Sequence, residues 1–263
     1  MSKIQIGIPC GPNSEKFTLF LISSIEKTIS RDFEFEYILG INQKGVNKDY
    51  FKNIKNLKIV EEFKGYPYQK GHGHCLDLIL KNMDSEFGMF VDSDVAFLKQ
   101  DWDKDLISKI TDNKIIVGTE YHPTDGKLVD FPNVITCLFD TRKIKALNLS
   151  FIPHLKEIEA NDENCHFYGV KPGQRVFLDT GCHIAKDIRE AGFDGYTLKI
   201  VTPRYEDRVK DMAFMSMGMR GEEYQLDGVT ICTHIGRSLS RSFERDPIVN
   251  GWKKRVVEWL NNG

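Results

Sequence analysis

Short apolar runs alternate with helical stripes along the first half of this 263-residue chain, and that alternation constrains the fold more than any other feature. Ile4 to Pro9, Phe35 to Ile41, Leu57 to Glu61, Phe87 to Val91, Ile115 to Gly118 and Val134 to Phe139 each read as a strand. Between the first two, Phe17, Phe20, Leu21, Ile25 and Ile29 recur at helical spacing, with Ser14 placed to cap that helix. Leu76, Ile79, Leu80 and Met83 mark a second helix. Strands and helices in this order predict an α/β fold, a mostly parallel sheet with helices on both faces.

The second half is less regular. Ser150 to Gly173 lacks periodicity and reads as a loop over the sheet. Thr180 to Ala191 reads as a helix stopped by Gly192, and Val229 to Thr233 as a strand. Trp252, Val256, Trp259 and Leu260 form the apolar stripe of a terminal helix. No repeat, low-complexity tract or linker divides the chain, so residues 1–263 are expected to form a single domain.

Charge and cysteine usage narrow the class. Hydrophobic residues make up 41% and charged residues 28%, with a formal net charge of -2 and no Lys/Arg cluster, so a nucleic-acid partner is not expected. The six cysteines are scattered without a Cys-x-x-Cys pair, which reads as reduced thiols and a cytoplasmic setting. No secretory apolar region is expected at the N-terminus. The longest apolar stretch, Phe17 to Ile25, is too short to cross a bilayer, leaving only peripheral membrane contact.

The sharpest chemical signal is Met89-Phe90-Val91-Asp92-Ser93-Asp94. A strand delivers two carboxylates one residue apart at its C-terminal end, the edge where open α/β sheets bind ligands. Alternate residues of an extended chain point the same way, so Asp92 and Asp94 can face one divalent cation. The same tripeptide also occurs as a plain polar turn, and its place after an apolar strand favours the functional reading. His234 closes a later strand and is followed by Gly236, Arg237, Ser238 and Arg241. His234 is either a third metal ligand or a buried core histidine, and the Arg and Ser side chains are suited to phosphate oxygens.

Two further segments stand out. Asp179, in Phe177-Leu178-Asp179-Thr180-Gly181, is a candidate general base for an attacking hydroxyl; Asp179 or Thr180 also suits the cap of the following helix. Asp162 and Glu163 are second choices for the base, whereas Glu222 and Glu223 read as solvated surface. Lys70-Gly71-His72-Gly73-His74 immediately precedes the second predicted helix, where anions are favoured, so Lys70 and the imidazoles are placed to reach a diphosphate. A zinc site on the two histidines ranks low, because no further ligand lies at the right spacing.

In order and spacing these pieces resemble the GT-A glycosyltransferases, the broad family 2 group above all. The resemblance spans about residues 4 to 241 and rests on motif order. It implies that Pro9 and Gly11 meet the nucleoside, that Asn42 lies near the base where that family often has an acid, and that Gly71 opens the helix before the Asp-x-Asp strand. It places the metal on Asp92, Asp94 and His234, with Asp92 also near the ribose, and the base on Asp179, before Ala191-Gly192-Phe193. Lys70, His74, Arg237, Ser238 and Arg241 complete the expected donor site. It further implies an inverting enzyme that uses Mn²⁺ or Mg²⁺ and a nucleotide diphosphate sugar, a UDP-sugar by preference. The acceptor would be a saccharide or glycoconjugate, with a nucleic-acid acceptor disfavoured by the charge. The nucleotide-sugar half would be residues 1 to about 100, with the acceptor side beyond. Rival readings are a sugar-nucleotide pyrophosphorylase, for which Gly11-Pro12-Asn13-Ser14 lacks the basic residues, and a non-catalytic nucleotide- or sugar-binding module.

Overall fold

Phe87–Val91 (β4) shows how the sheet is built. Its alternate side chains enter two cores. Met89 and Val91 pack with Leu21, Ile22 and Ile25, while Phe90 packs with Leu76, Ile79 and Ile184. A strand buried on both faces must be central, and this one lies beside Lys3–Pro9 (β1) on one side and Thr136–Asp140 (β7) on the other. The computed structural model describes residues 2–122, 130–153, 157–159, 161–163, 165–168, 171–177, 179–181, 183–236 and 240–262.

The remaining strands are Glu34–Ile41 (β2), Leu57–Glu61 (β3), Val95–Phe97 (β5), Lys114–Thr119 (β6), Asp194–Val201 (β10), Glu222–Leu226 (β11) and Val229–His234 (β12), with Glu157–Glu159 (β8) and Arg175–Phe177 (β9) apart from them. Among the described residues one sheet runs in the order β3-β2-β1-β4-β7-β6-β10-β11-β12-β5. From β3 to β10 every strand runs the same way except β7, which is antiparallel to both its neighbours. Beyond β10 the sheet turns into an antiparallel wing of β11, β12 and β5. Strands from both halves of the chain therefore share one sheet.

Helices cover both faces. Glu15–Thr28 (α1) and Trp102–Ile107 (α3) pack on one face, and Tyr68–Lys81 (α2) with Ile184–Glu190 (α6) on the other. Thr141–Ala146 (α4) follows β7, and Cys165–Tyr168 (α5) lies between β8 and β9. Pro247–Asn262 (α7) closes a third core in which Trp252 and Val256 meet Phe17, Ala96 and Phe214. Among the described residues no helix is long and apolar enough to cross a membrane. Cys10, Cys75, Cys137, Cys165 and Cys232 are free thiols, and burial pushes Cys75 and Cys232 up to about 12. Cys182 lies outside the described residues.

Several local expectations are corrected. Helix α2 begins at Tyr68, so Lys70 to His74 lie within it rather than before it. The two glycines admit close neighbours. A Cβ on Gly73 would lie 2.7 Å from Ile152 Cα, and one on Gly71 would lie 2.7 Å from Tyr66 O. The helix predicted over Thr180 to Ala191 begins at Ile184, because Gly181 turns the chain at φ +73, a conformation that a helix cannot continue. Asp179 and Thr180 are therefore not caps, and His183 occupies that position. Ser14 does stand at the start of α1, but its hydroxyl serves the preceding turn, donating to Gly11 O at 2.7 Å and accepting from Gly11 N at 3.0 Å. The segment read as one long loop contains β8 and α5, with β8 pairing antiparallel to β9.

Candidate functional site

The site begins with how β4 ends. Asp92 N donates to Ile135 O at 2.8 Å, and Val95 N donates back to Asp92 O at 3.2 Å, so the chain reverses within Asp92-Ser93-Asp94 and leaves as β5. Strand β12 pairs with β5 in a register that sets His234 opposite Val95, and Ile235 N donates to Asp94 O at 3.2 Å. That pairing brings two segments 140 residues apart into contact, with His234 Nε2 3.3 Å from Asp94 Oδ1. Asp92, Asp94 and His234 each offer a ligand atom, and these atoms lie within 4.8 Å of one another. The three residues line one wall of a cavity of about 1000 Å³.

On the other ring nitrogen, His234 Nδ1 lies 3.2 Å from Glu222 Oε2. Glu222 also accepts from Tyr224 Oη at 2.7 Å and pairs with the Arg204 guanidinium. Burial opposes the imidazolium of His234, but the charges and hydrogen bonds of Asp94 and Glu222 outweigh it and hold its pKa well above 6.5. Burial likewise opposes the charge on Glu222, and His234, Tyr224 and Arg204 together hold it below its ordinary value. The reading of Glu222 and Glu223 as solvated surface is thus wrong. Glu222 faces the cavity, and Glu223 is fully buried, accepting backbone hydrogen bonds from Ala213, Phe214 and Met215.

Helix α2 supplies a second wall through Gln69, His72 and Cys75, which recur every three residues and so share a face. His72 Nε2 lies 3.1 Å from Asp92 Oδ1. Burial works against its charge, and Asp92, with Asp179 and Asp94 further off, raises it on balance. Lys70 is exposed and does not line the cavity. His74 is buried on another face, 3.4 Å from Glu62 Oε2 and edge-on to Tyr66. Gly71 contributes its carbonyl, which accepts from Asn42 Nδ2 and so fixes that amide at the end of β2.

Pro9, Gly11 and Asn42 line the cavity where β1 and β2 end. Asp179 lines it too, half-buried, with Oδ1 accepting from Thr180 N at 2.8 Å and Oδ2 3.5 Å from Tyr121 Oη. The turn that carries it is tied to α2 by Thr180 Oγ1 donating to Gln69 O at 3.2 Å. Arg241 is turned away. Its guanidinium pairs with Asp246 at 2.9 Å and donates to Gly236 O at 3.1 Å, beside a smaller cavity of about 360 Å³. Arg237 and Ser238 lie outside the described residues. Asp162 and Glu163 are exposed and do not line the large cavity.

Glu222, Arg204 and Tyr121 were missed as site residues. A signal for Glu222 existed in Asp227-Gly228, a two-residue hairpin turn with both residues at positive φ. Counting back from Leu226 opposite Val229 would set Glu222 against Thr233. A bulge between Tyr224 and Gln225 shifts the register by one and sets Glu222 against His234 instead.

The sequence matches no protein-family model and no curated protein. Its fold does match solved structures. One is a mannosyltransferase from Pyrobaculum calidifontis in complex with GDP-Man and Mn²⁺ (TM-score 0.53, 12% identity, 74% of this chain and 54% of that one). Another is the galactosyltransferase LgtC with donor and acceptor sugar analogs (TM-score 0.52, 15% identity, 98% of this chain and 95% of that one). An active-site mutant of LgtC matches similarly, at a TM-score of 0.53 and 13% identity. This chain spans about half of the mannosyltransferase and nearly the whole of LgtC. At such identities the likeness establishes the fold, the mixed α/β architecture of GT-A glycosyltransferases.

Proposed function

We propose that this protein is a metal-dependent glycosyltransferase that moves a sugar from a nucleotide diphosphate to a hydroxyl of a saccharide or glycoconjugate acceptor. The observation that carries the reading is the convergence of Asp92, Asp94 and His234 at the C-terminal sheet edge, on a cavity that also holds Asp179. Two carboxylates and one imidazole are a donor set suited to Mn²⁺, and Mg²⁺ would use mainly the carboxylates. Such an ion, when bound, offsets the charge of the diphosphate leaving group. Support from known proteins is at the level of fold, with a mannosyltransferase that holds GDP-Man and Mn²⁺ and a galactosyltransferase that holds sugar analogs. Assignment to family 2 rests on motif order alone.

The remaining roles belong to this chain's own residues. Asn42 lines the cavity with its Nδ2 engaged by Gly71 O, which leaves its amide oxygen the group to accept from a base, as the N–H of a UDP-sugar's uracil would require. Pro9 and Gly11 form the floor under the nucleoside, and His72 reaches the diphosphate from α2. Asp179 takes the acceptor proton as the hydroxyl oxygen bonds to the anomeric carbon on the face opposite the nucleotide diphosphate, which leaves with the bonding pair, and this single displacement inverts the anomeric configuration. Free thiols among the described cysteines accord with a cytoplasmic location. Two halves, a nucleotide-sugar side to about residue 100 and an acceptor side beyond it, complete the reading.

The test is a thermal-shift screen of nucleotide sugars with and without Mn²⁺, followed by donor hydrolysis and product analysis. A binder raises the melting temperature by mass action, and Asp94→Ala should abolish the Mn²⁺-dependent part. Mn²⁺-dependent donor affinity that survives in Asp94→Ala would overturn the metal assignment. Donor binding without turnover on any acceptor would favour a binding module instead.

A further inference from the structure

We infer that Glu222 is a positioning residue that fixes the ring orientation and tautomer of His234, so that Nε2 presents its lone pair to a divalent cation at Asp94. The inference rests on the reading of Asp94 and His234 as metal ligands. An imidazole that ligates through one nitrogen carries its proton on the other, and that proton needs an acceptor. Here the two nitrogens face different carboxylates, Nε2 toward Asp94 at 3.3 Å and Nδ1 toward Glu222 at 3.2 Å. Glu222 has only acceptors to offer, so it selects the tautomer protonated on Nδ1.

Glu222 is itself held in place. Tyr224 Oη donates to the same Oε2 at 2.7 Å, and the Arg204 guanidinium engages Oε1, so both oxygens have protein partners. The backbone adds a further constraint, because Glu222 and His234 are direct cross-strand partners between β11 and β12. That pairing exists only because of the bulge at Tyr224/Gln225, a device that re-aims side chains near functional sites. Two other roles fit less well. Glu222 is not among the residues whose ligand atoms cluster, and it meets the imidazole on the side remote from Asp94. As a general base it would have to release partners that already occupy both oxygens.

The experiment titrates nucleotide-free protein with Mn²⁺, reading free Mn²⁺ by electron paramagnetic resonance, for the wild type, Glu222→Gln, Glu222→Ala and Asp94→Ala. Melting curves in EDTA establish that each variant is folded. Removing such a supporting carboxylate should weaken Mn²⁺ binding by about 10- to 100-fold, with Glu222→Gln, which retains an acceptor oxygen, losing less than Glu222→Ala. Nitrogen-15 spectra of the protein loaded with Zn²⁺, a diamagnetic ion that takes imidazole readily, supply a readout that a merely structural role would not move. They should show His234 protonated on Nδ1 in the wild type and a changed tautomer population in Glu222→Ala. Should Glu222→Ala fail to fold, the nearly isosteric Glu222→Gln carries both measurements. Unchanged Mn²⁺ affinity and an unchanged tautomer in folded Glu222 variants, with Asp94→Ala still impaired, would overturn the role of Glu222 and leave the metal site standing. Failure of the wild type to bind Mn²⁺, or full binding by Asp94→Ala, would instead overturn the ligand assignment beneath it.

Discussion

Replacing Glu223 by Gln should destabilise this protein far more than a change of one atom suggests. The side chain is 0% exposed. Its Oε2 accepts from Phe214 N at 2.6 Å and Met215 N at 2.7 Å, and its Oε1 from Ala213 N at 2.9 Å and Gln225 Nε2 at 2.6 Å. Glutamine keeps the shape but turns one of these oxygens into a donor. If the amide nitrogen replaces Oε2, two backbone N–H groups lose their acceptor. If it replaces Oε1, Ala213 N–H and Gln225 Nε2 both face a donor, and flipping the Gln225 amide would take its Nε2 away from Asp211 O. Either orientation therefore leaves donors of this network without an acceptor, at about 1–3 kcal/mol, and weakens the other bonds by removing their charge. A total of about 2–4 kcal/mol is expected, a large share of the roughly 5–15 kcal/mol that holds a typical domain together. At about 2–4 °C per kcal/mol for a chain of this size, the melting temperature should fall by about 4–16 °C. Because Phe214 and Met215 pack with Ile235 and Trp252, the loosened segment adjoins His234. Differential scanning calorimetry in EDTA reads the effect without interference from ligands. A melting temperature within about 2 °C of the wild type would refute the reasoning.

Asp179→Asn keeps an oxygen for Thr180 N and should leave donor binding intact while lowering turnover by about 10²- to 10⁴-fold, measured with donor affinity on one preparation. Wild-type turnover, or a product with retained anomeric configuration, would remove Asp179 from the role of base. In metal-free protein, His234 has a pKa raised above 6.5, so its ion pairs with Asp94 and Glu222 stabilise the fold fully below the unfolded value. That stabilisation is lost as pH rises through the folded value, so the melting-temperature gap between wild type and His234→Asn should narrow as pH rises above about 6.5. A gap that widens with pH contradicts the linkage. Gly73→Ala should destabilise by about 1–3 kcal/mol, because the new Cβ would meet the backbone at Ile152 Cα, 2.7 Å away. Gly251→Ala in α7, with nothing within 4 Å, should instead gain up to about 1 kcal/mol, and thermal melts of the pair test both signs.

Much of this protein is legible along the chain, because the signals are local. Apolar runs such as Phe87–Val91 need no tertiary information to be recognised as strands, and the position of Asp92 and Asp94 after one of them already places two carboxylates at a ligand-binding edge. Helix boundaries were less legible where glycine intervenes. Gly71 and Gly73 look like breakers, but α2 runs through them because neighbouring backbone occupies the space a side chain would fill, whereas Gly181 does break the chain, at positive φ. What only the tertiary structure decided is which side chains share the site. The register between β12 and β5 brings His234 to Asp94, the exposed face of α2 carries Lys70 away from the cavity while His72, two residues on and on the opposite side of the helix, meets Asp92, and Asp246 holds Arg241 elsewhere. Glu222 and Glu223 make the limit plain. Two adjacent acids in a polar run are indistinguishable as sequence. A strand sends neighbouring side chains to opposite faces, and a single-residue bulge then sets one acid against the imidazole of His234 and leaves the other to hold the chain at Ala213, Phe214 and Met215.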